Sequence, residues 1–448
     1  MRSAWLLFLP FVVACGASVA MRAAERGDVR ALHTELLARE RAGTMTNVEA
    51  ADLARAVATR EIEQAKGGDA ALRVREVRGC AADLDSVLER RARQKDNAGA
   101  EAAMARLEDR EMSRGSAREH ANDEDDAWRA VGARGLVRDE DHAARVHAIV
   151  DPSPAVRRAA VHAIAESGDA AATYALFDAA RLDPEPLVRT EAVRAIARIA
   201  PADPDVVTRL RDLWTSGDDP VREDIARAWA SGKLYATGGR DALRIVLAAE
   251  TGPAILEAAA AVLDLVWTTP RQSLGRAVPP ARDAVLDASA TAVLARGVRS
   301  GSLRNRLHAI AIAPVRQGAA GEPILVALRD AAHEKDLEIA VAASARLTES
   351  PPDRVDAVRA LEMLAGPGDH ARVASRARLA LAGAGDTRVQ AWIEQDLGSD
   401  SAPLQLEALD ALASLGKAGR GAPLLADADP GVRTRAACTL LTAGRTGR

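Results

Sequence analysis

A chain of 448 residues in which 60 Lys and Arg face 64 Asp and Glu has a formal charge of −4. So even a balance argues against a general grip on nucleic acid, which needs a basic excess on one face. Close to half of the residues are apolar, which excludes disorder throughout. With only 3 Phe, 2 Tyr and 6 Trp, an interior of Ala, Leu and Val suits closely packed helices rather than strands.

Residues 1–14 form the first element. Arg2 precedes an apolar run that ends in small residues, the pattern of a signal peptide and too short to span a bilayer comfortably. Val12-Val13-Ala14-Cys15 resembles the bacterial lipobox, which implies that Cys15 is lipidated and becomes the first residue of the mature protein. Gly16 stands where an Asp would imply retention at the inner membrane. The resemblance therefore implies a lipid anchor in the outer membrane, facing the periplasm. The other reading is an ordinary secretory signal cut after Ser18-Val19-Ala20, giving a soluble periplasmic or secreted protein. With Cys15 used as the anchor, Cys80 and Cys438 remain. At opposite ends of an open stack of helices spaced ~8–10 Å, they would not come within the ~7 Å that a bridge requires. No intramolecular disulfide is expected.

Residues 15–95 read as a helical N-terminal region. Leu32, Leu36 and Leu37 make one apolar stripe, and Thr46-Asn47-Val48-Glu49 is a capping box that opens a helix reaching Lys66. Gly67-Gly68-Asp69 breaks that helix, and a third is expected from about Ala70 to Arg93. Residues 96–126 are charged, poor in large apolar side chains and end in Asn122-Asp123-Glu124-Asp125-Asp126, so a solvated linker is expected.

From residue 127 a phrase recurs. Asp151-Pro152-Ser153-Pro154-Ala155-Val156-Arg157 is echoed by Asp183-Pro184-Glu185-Pro186-Leu187-Val188-Arg189, by Asp219-Pro220-Val221-Arg222 and by Asp429-Pro430-Gly431-Val432-Arg433. Aligned on Val156, Val188, Val221, Ile255, Leu303, Ile339, Val373, Leu404 and Val432, the units are spaced by 28 to 36 residues, with one interval of 48. Packing residues follow four and eight positions after each anchor, on one helical face. Pro154, Pro186, Pro204, Pro220, Pro253, Pro403 and Pro430 fall where helices should start, and Gly168, Gly217, Gly385 and Gly416 where they should stop. The long interval marks an insertion near 268–280, with Pro270, Gly275, Pro279 and Pro280, expected as a loop.

These units resemble the HEAT-like repeats in their short bacterial form, the type also found in phycobilisome lyases. The resemblance covers residues 127–448. It implies an all-α, right-handed α-solenoid of about nine helical hairpins, preceded by the helical N-terminal region. In the family the turn Asp and the Arg after the first apolar position tie neighbouring repeats together. Asp151, Asp183 and Asp429 match that Asp, and Arg157, Arg189, Arg222 and Arg433 match that Arg. Ile255-Leu256, Ile339-Ala340, Val373-Ala374 and Leu404-Gln405 lack the Arg, so the ladder is expected to be interrupted there.

The sequence has no His-Glu-x-x-His, Cys-x-x-Cys, phosphate-cradling glycine loop or nucleophile elbow. His142, His147 and His162 do not converge at metal-ligand spacing, so no metal and no cofactor is expected. Arg158, His162, Arg194 and Arg227 should form a modest basic strip along the concave side. With Trp214 and Tyr235 nearby, the strip is the candidate surface for an acidic or extended segment of a protein partner. The functional expectation is an envelope lipoprotein that acts as a scaffold or adaptor and is not an enzyme. It should have protein partners, a membrane contact through its lipid and no nucleic-acid partner. The alternative, which the repeat resemblance also implies, is a lyase or an enzyme accessory subunit acting on a partner protein.

Overall fold

The structure, a computed structural model, describes residues 18–249, 252–272, 283–368 and 370–446. Among the described residues it is helical throughout, with no strand. The N-terminal region contributes α1 (Val19–Arg26), α2 (Val29–Ala42), α3 (Asn47–Gln64), α4 (Gly67–Glu76), α5 (Asp85–Ala92), α6 (Asn97–Glu108) and α7 (Arg114–Arg118). The repeats then run α8 (Asp126–Arg134), α9 (His142–Ala148), α10 (Pro154–Ser167), α11 (Thr173–Leu182), α12 (Pro186–Ile199), α13 (Pro204–Ser216) and α14 (Asp219–Trp229). A single turn, α15 (Gly232–Leu234), leads into α16 (Arg240–Ala249), α17 (Pro253–Gln272), α18 (Ala284–Arg299), α19 (Leu303–Ile312) and α20 (Glu322–Ala332). The series ends with α21 (Leu337–Leu347), α22 (Arg354–Ala365), α23 (Ala371–Gly383), α24 (Gln390–Leu397), α25 (Ala402–Ser414) and α26 (Pro430–Thr446).

Local chemistry explains the boundaries. The capping box at Thr46 and Glu49 is formed, each side chain taking the other's backbone N–H. Pro opens α10, α12, α13, α17 and α26, where its missing N–H leaves nothing unsatisfied. Gly168 closes α10 in the left-handed conformation, at φ 72°. Each hairpin buries the apolar stripe of its second helix: Val156, Ala160 and Ile164 in α10, Val188, Ala192 and Ile196 in α12.

The second helices α8, α10, α12 and α14 pack directly on one another, whereas their partners α9, α11 and α13 scarcely touch. The crowded row therefore lies on the inside of the curve and the splayed row on the outside. The inner row continues through α17, α19, α21, α23, α25 and α26. The contact thins between α17 and α19, where the outer helices α18 and α20 pack on each other instead.

Here the structure departs from an open stack. Helix α26 packs along α3 and against α4, α4 packs on α6, and α6 on α8, so the inner row returns to its beginning. Leu53, Ala54 and Val57 of α3 share one core with Leu440 and Leu441 of α26 and with Leu424 and Leu425 before it. Across the same seam Arg433 donates to Glu61 at 2.7 Å, Gly419 N–H to Asn47 at 2.8 Å, and Arg445 lies 3.3 Å from Asp83. The helices form a closed ring. Cys80 and Cys438, 358 residues apart, have Cα atoms 5.5 Å apart and form a disulfide. The expectation of no intramolecular disulfide is thus corrected: it assumed an open stack, and closure brings the two ends of the chain together.

Two further expectations change. The helix foreseen over 70–93 is broken into α4, a 3₁₀ stretch at Arg78–Leu84 and α5, with Cys80 outside helical geometry at φ −130°. The turn delivers Cys80 to the seam. The stretch 96–126, read as a solvated linker, holds α6 and α7. Ala98, Ala100, Ala102, Ala103, Ala105 and Leu107 of α6 are buried, and Trp128 of α8 packs against that helix. As for the insertion, α17 continues to Gln272, and residues 273–282 lie outside the described ones.

Candidate functional site: the inner face of the ring

The inner helices present a charged face whose residues reach from one repeat to the next. Arg158 of α10 makes a two-pronged pair with Glu191 of α12, at 3.0 and 2.7 Å, and His162 lies 3.4 Å from the same carboxylate. Arg194 of α12 pairs with Asp224 of α14 at 2.9 Å. Arg227 bonds Asp224 at 2.7 Å and lies 2.9 Å from Glu257 of α17, whose other oxygen is 3.1 Å from His308 of α19. The four predicted basic residues do lie on one face, but they are half of a paired ladder rather than a free basic strip. The acids Glu191, Asp224 and Glu257 are the partners that the sequence reading missed. Glu191 and Asp224 each stand three residues after a repeat anchor, Val188 and Val221, and that shared column was the available signal.

Burial drives the Glu191 carboxyl up, but bonds from His162 and Arg158 outweigh it and bring it down to about 2. The reverse holds where cations are scarce. Burial, with the neighbouring Glu257, raises Glu223, and burial raises Asp410 of α25, with Glu407 beside it.

Trp214 and Tyr235 do not line the surface. Both are 4% exposed; Trp214 packs on the fully buried Trp229 with ring centroids 5.3 Å apart. Tyr235 is turned inward by the π-helical turn Tyr235–Gly239 that links α15 to α16. They are core residues, because an interior built largely from Ala leaves gaps that only rings fill.

The turn residues form a second, structural ladder on the edge of the ring. Arg157 donates to both oxygens of Asp183, at 2.7 and 2.8 Å, and to the carbonyls of Asp151 and Pro152. Arg129, one unit earlier, holds Asp151 at 2.8 Å. Arg189 reaches the Asp183 carbonyl and the carboxylate of Asp218. Arg222 is bonded to the Trp214 carbonyl at 2.8 Å. Asp429 accepts from the Gly431 N–H at 2.7 Å, and Arg433 holds the Asp427 carbonyl while reaching Glu61.

His142 is 2.7 Å from Asp169, and no group of three His, Cys, Asp or Glu suited to a metal is present among the described residues. Cys15 lies outside the described residues. No described helix is long and apolar enough to cross a membrane.

Stacked two-helix units, with one row crowded inside a curve, define a helical-repeat protein. More particularly, part of the chain is similar to HEAT repeats: the family model of that description matches residues 102–197 and, overlapping, 143–230. The matched span begins within α6, inside the stretch read from sequence as a linker. No curated protein matches the chain. Among solved structures it is similar to the CpcE–CpcF complex of phycocyanin lyase from Nostoc sp. PCC7120, at 17% identity over 56% of this chain and 95% of that one, TM-score 0.31. It is similar to human deoxyhypusine hydroxylase, at 17% identity over 67% of this chain and 95% of that one, TM-score 0.23. It is also similar to yeast importin-beta (Kap95p), from a complex with RanGDP, at 12% identity over 96% of this chain and 59% of that one, TM-score 0.37.

Proposed function

We propose that this chain is a lipid-anchored envelope protein that binds other proteins through its HEAT-repeat surface, and that its role is to hold partners rather than to catalyse. The observation that carries the binding role is the inner face. Arg158, Arg194 and Arg227 keep 42%, 62% and 45% of their side-chain surface exposed while held in place by buried carboxylates, a fixed array of unspent donors on rigid helices. A HEAT-repeat solenoid is suited to protein binding by its long curved surface.

Two features support export and anchoring. A disulfide persists in oxidising compartments such as the periplasm, and Cys80–Cys438 joins the two ends of the chain. Helix α1 is capped by Ser18 and buries Ala20, Ala23 and Ala24. A cut after Ala20 would sever that helix inside its packed face, whereas a cut before Cys15 leaves it whole. The second option favours the lipoprotein over the plain secretory signal and places the anchor three residues ahead of the α1 cap. Acyl chains contribute about 0.8 kcal/mol per buried CH₂, so a multiply acylated Cys would hold the ring at the outer-membrane surface, facing the periplasm.

Metabolic labelling with a palmitate analogue tests the anchor: the wild type should be labelled and fractionate with membranes, and Cys15→Ser should do neither. Crosslinking in membranes followed by mass spectrometry tests the binding role. Reproducible crosslinks from inner-face residues are expected, and their absence at normal expression would remove the scaffold reading.

A further inference from the structure

The inner face is not electrically uniform. On the stretch from α4 to α12 three carboxylates are each shared by two bases. Glu101 of α6 takes Arg75 at 2.5 Å and Arg78 at 2.6 Å, Glu166 of α10 takes Arg114 at 2.8 Å and Arg134 at 2.5 Å, and Glu191 takes Arg158 and His162. Glu108, 3.8 Å from Arg78, is a further acid there. Burial and the nearness of Arg134 lower the Arg114 pKa, a mark of crowded positive charge. Further round, the bases no longer outnumber the acids. Glu223, Asp224 and Glu257 answer Arg194, Arg227 and His308, while Glu407 and Asp410 take their bonds from the hydroxyls of Ser375 and Thr439. The ring thus has a basic arc with acidic flanks, on α14 and α17 at one side and on α25 at the other.

The basic arc contains a cleft of about 570 Å³ between α4, α6, α8 and α10. Its floor is apolar and shallow, made by Met104 and by small residues such as Ala130 and Ala159; Arg75, Arg78, Arg134 and Arg158 stand along its sides and outnumber the two acids of the lining, Glu101 and Glu108. About twelve inner helices at ~9 Å spacing make a circle roughly 35 Å across between axes, leaving about 25 Å clear; an α-helix with side chains is about 10–12 Å thick. A helix can therefore lie in the cleft inside the closed ring.

Resting on the protein-binding reading above, we propose that this cleft docks an amphipathic helix of another protein, its apolar stripe on the Met104 floor and Asp or Glu residues on both flanks against the arginines. Charge complementarity selects the occupant. Small floor residues allow close helix approach, and Arg75, Arg134 and Arg158, which each hold one carboxylate, have N–H groups left for a second. The acidic flanks on α14, α17 and α25 repel a long polyanion and so disfavour nucleic acid in the same opening.

The test uses the whole disulfide-bonded chain and three fluorescent probes: a helical peptide of about 18 residues with a Leu and Met stripe flanked by Glu, its twin with Lys in place of Glu, and a single-stranded oligonucleotide of equal negative charge. Anisotropy should show saturable binding of the acidic peptide alone. Arg78→Glu with Arg158→Glu should weaken it at least about tenfold, near 1.4 kcal/mol, and Glu223→Gln with Asp410→Asn, one on each acidic flank, should not weaken it. If the double reversal disturbs folding, Arg75→Ala, at a side chain 59% exposed, serves instead, with a smaller loss expected. Equal binding of the Lys twin, equal or tighter binding of the oligonucleotide, no saturation by about 100 µM, or indifference to the arginine changes would each overturn the proposal. Inner-face crosslinks that persist alongside such a failure would remove the cleft and leave the scaffold reading standing.

Discussion

Glu191 shows what a single residue contributes to the ladder. Its carboxylate is 11% exposed and is gripped from the preceding repeat by Arg158 and His162. A carboxyl held at about 2 rather than at its ordinary 4.5 stabilises the fold wherever it is ionised, by about 2–3 kcal/mol. The sign follows from the direction of the shift. The contribution is complete above pH 4.5 and disappears as pH falls toward 2. Glu191→Gln should therefore cost about 1–3 kcal/mol at pH 7, with the difference from wild type closing as urea melts are repeated from pH 5 down to pH 2. A constant difference across that range would mean that the pair is not what holds α10 to α12. Arg158, His162, Arg194 and Arg227 were legible from their spacing alone. Their partners were not, because the reading followed one helix at a time and the pairs cross between helices. Trp214 and Tyr235 were misplaced for a related reason: periodicity locates a ring on a helix but does not reveal a gap on the far side.

At the scale of elements, the repeat hairpins were legible because Pro starts, Gly stops and an apolar stripe coincide in each of them. Helix α6 was not. Its buried face is mostly alanine, and alanine looks alike in a solvated charged stretch and in a tight helix contact. The turn that follows α7 in the same stretch is held as closely by Gly132 in α8, where an added Cβ would lie 2.1 Å from the backbone N of Ala121. No flexible side chain can yield there, since the obstacle is main chain. Gly132→Ala should lower the thermal midpoint by several degrees and loosen residues 97–134 first, which hydrogen exchange followed by mass spectrometry would register. Gly43, whose Cβ would meet nothing within 4 Å, shows the opposite case. It closes α2 at φ 64°, so there alanine would meet backbone strain without a clash.

The molecule as a whole was the least legible. Its helical-repeat class could be read from a recurring phrase, but nothing local announces that the first and last units meet. The reading of Cys80 and Cys438 failed on that point: two cysteines left in a chain read as exported were the signal for a bridge, and the assumption of an open stack overrode it. Closing a loop of 358 residues should contribute about 6 kcal/mol in the chain-entropy account. Cys80→Ser with Cys438→Ser should accordingly lower the melting temperature and slow migration relative to the oxidised wild type on a denaturing gel run without reductant. Identical migration with and without reductant would show that the bridge does not form. The seam has its own apolar core and the Arg433–Glu61 pair, so the double variant should keep its helical content at moderate temperature.

Closure also changes what a missing piece does. A row of repeats with two ends needs polar outer faces on its terminal members to stay in solution. A circuit has no terminal members, and α3 and α26 meet through Leu53, Leu440 and Leu441 with no such polish. Excising a hairpin anywhere along this chain would leave two raw oily faces that fit each other but cannot meet within one molecule. Shortened forms should pair with copies of themselves, and for this protein fragments are a poor guide to the behaviour of the intact circle.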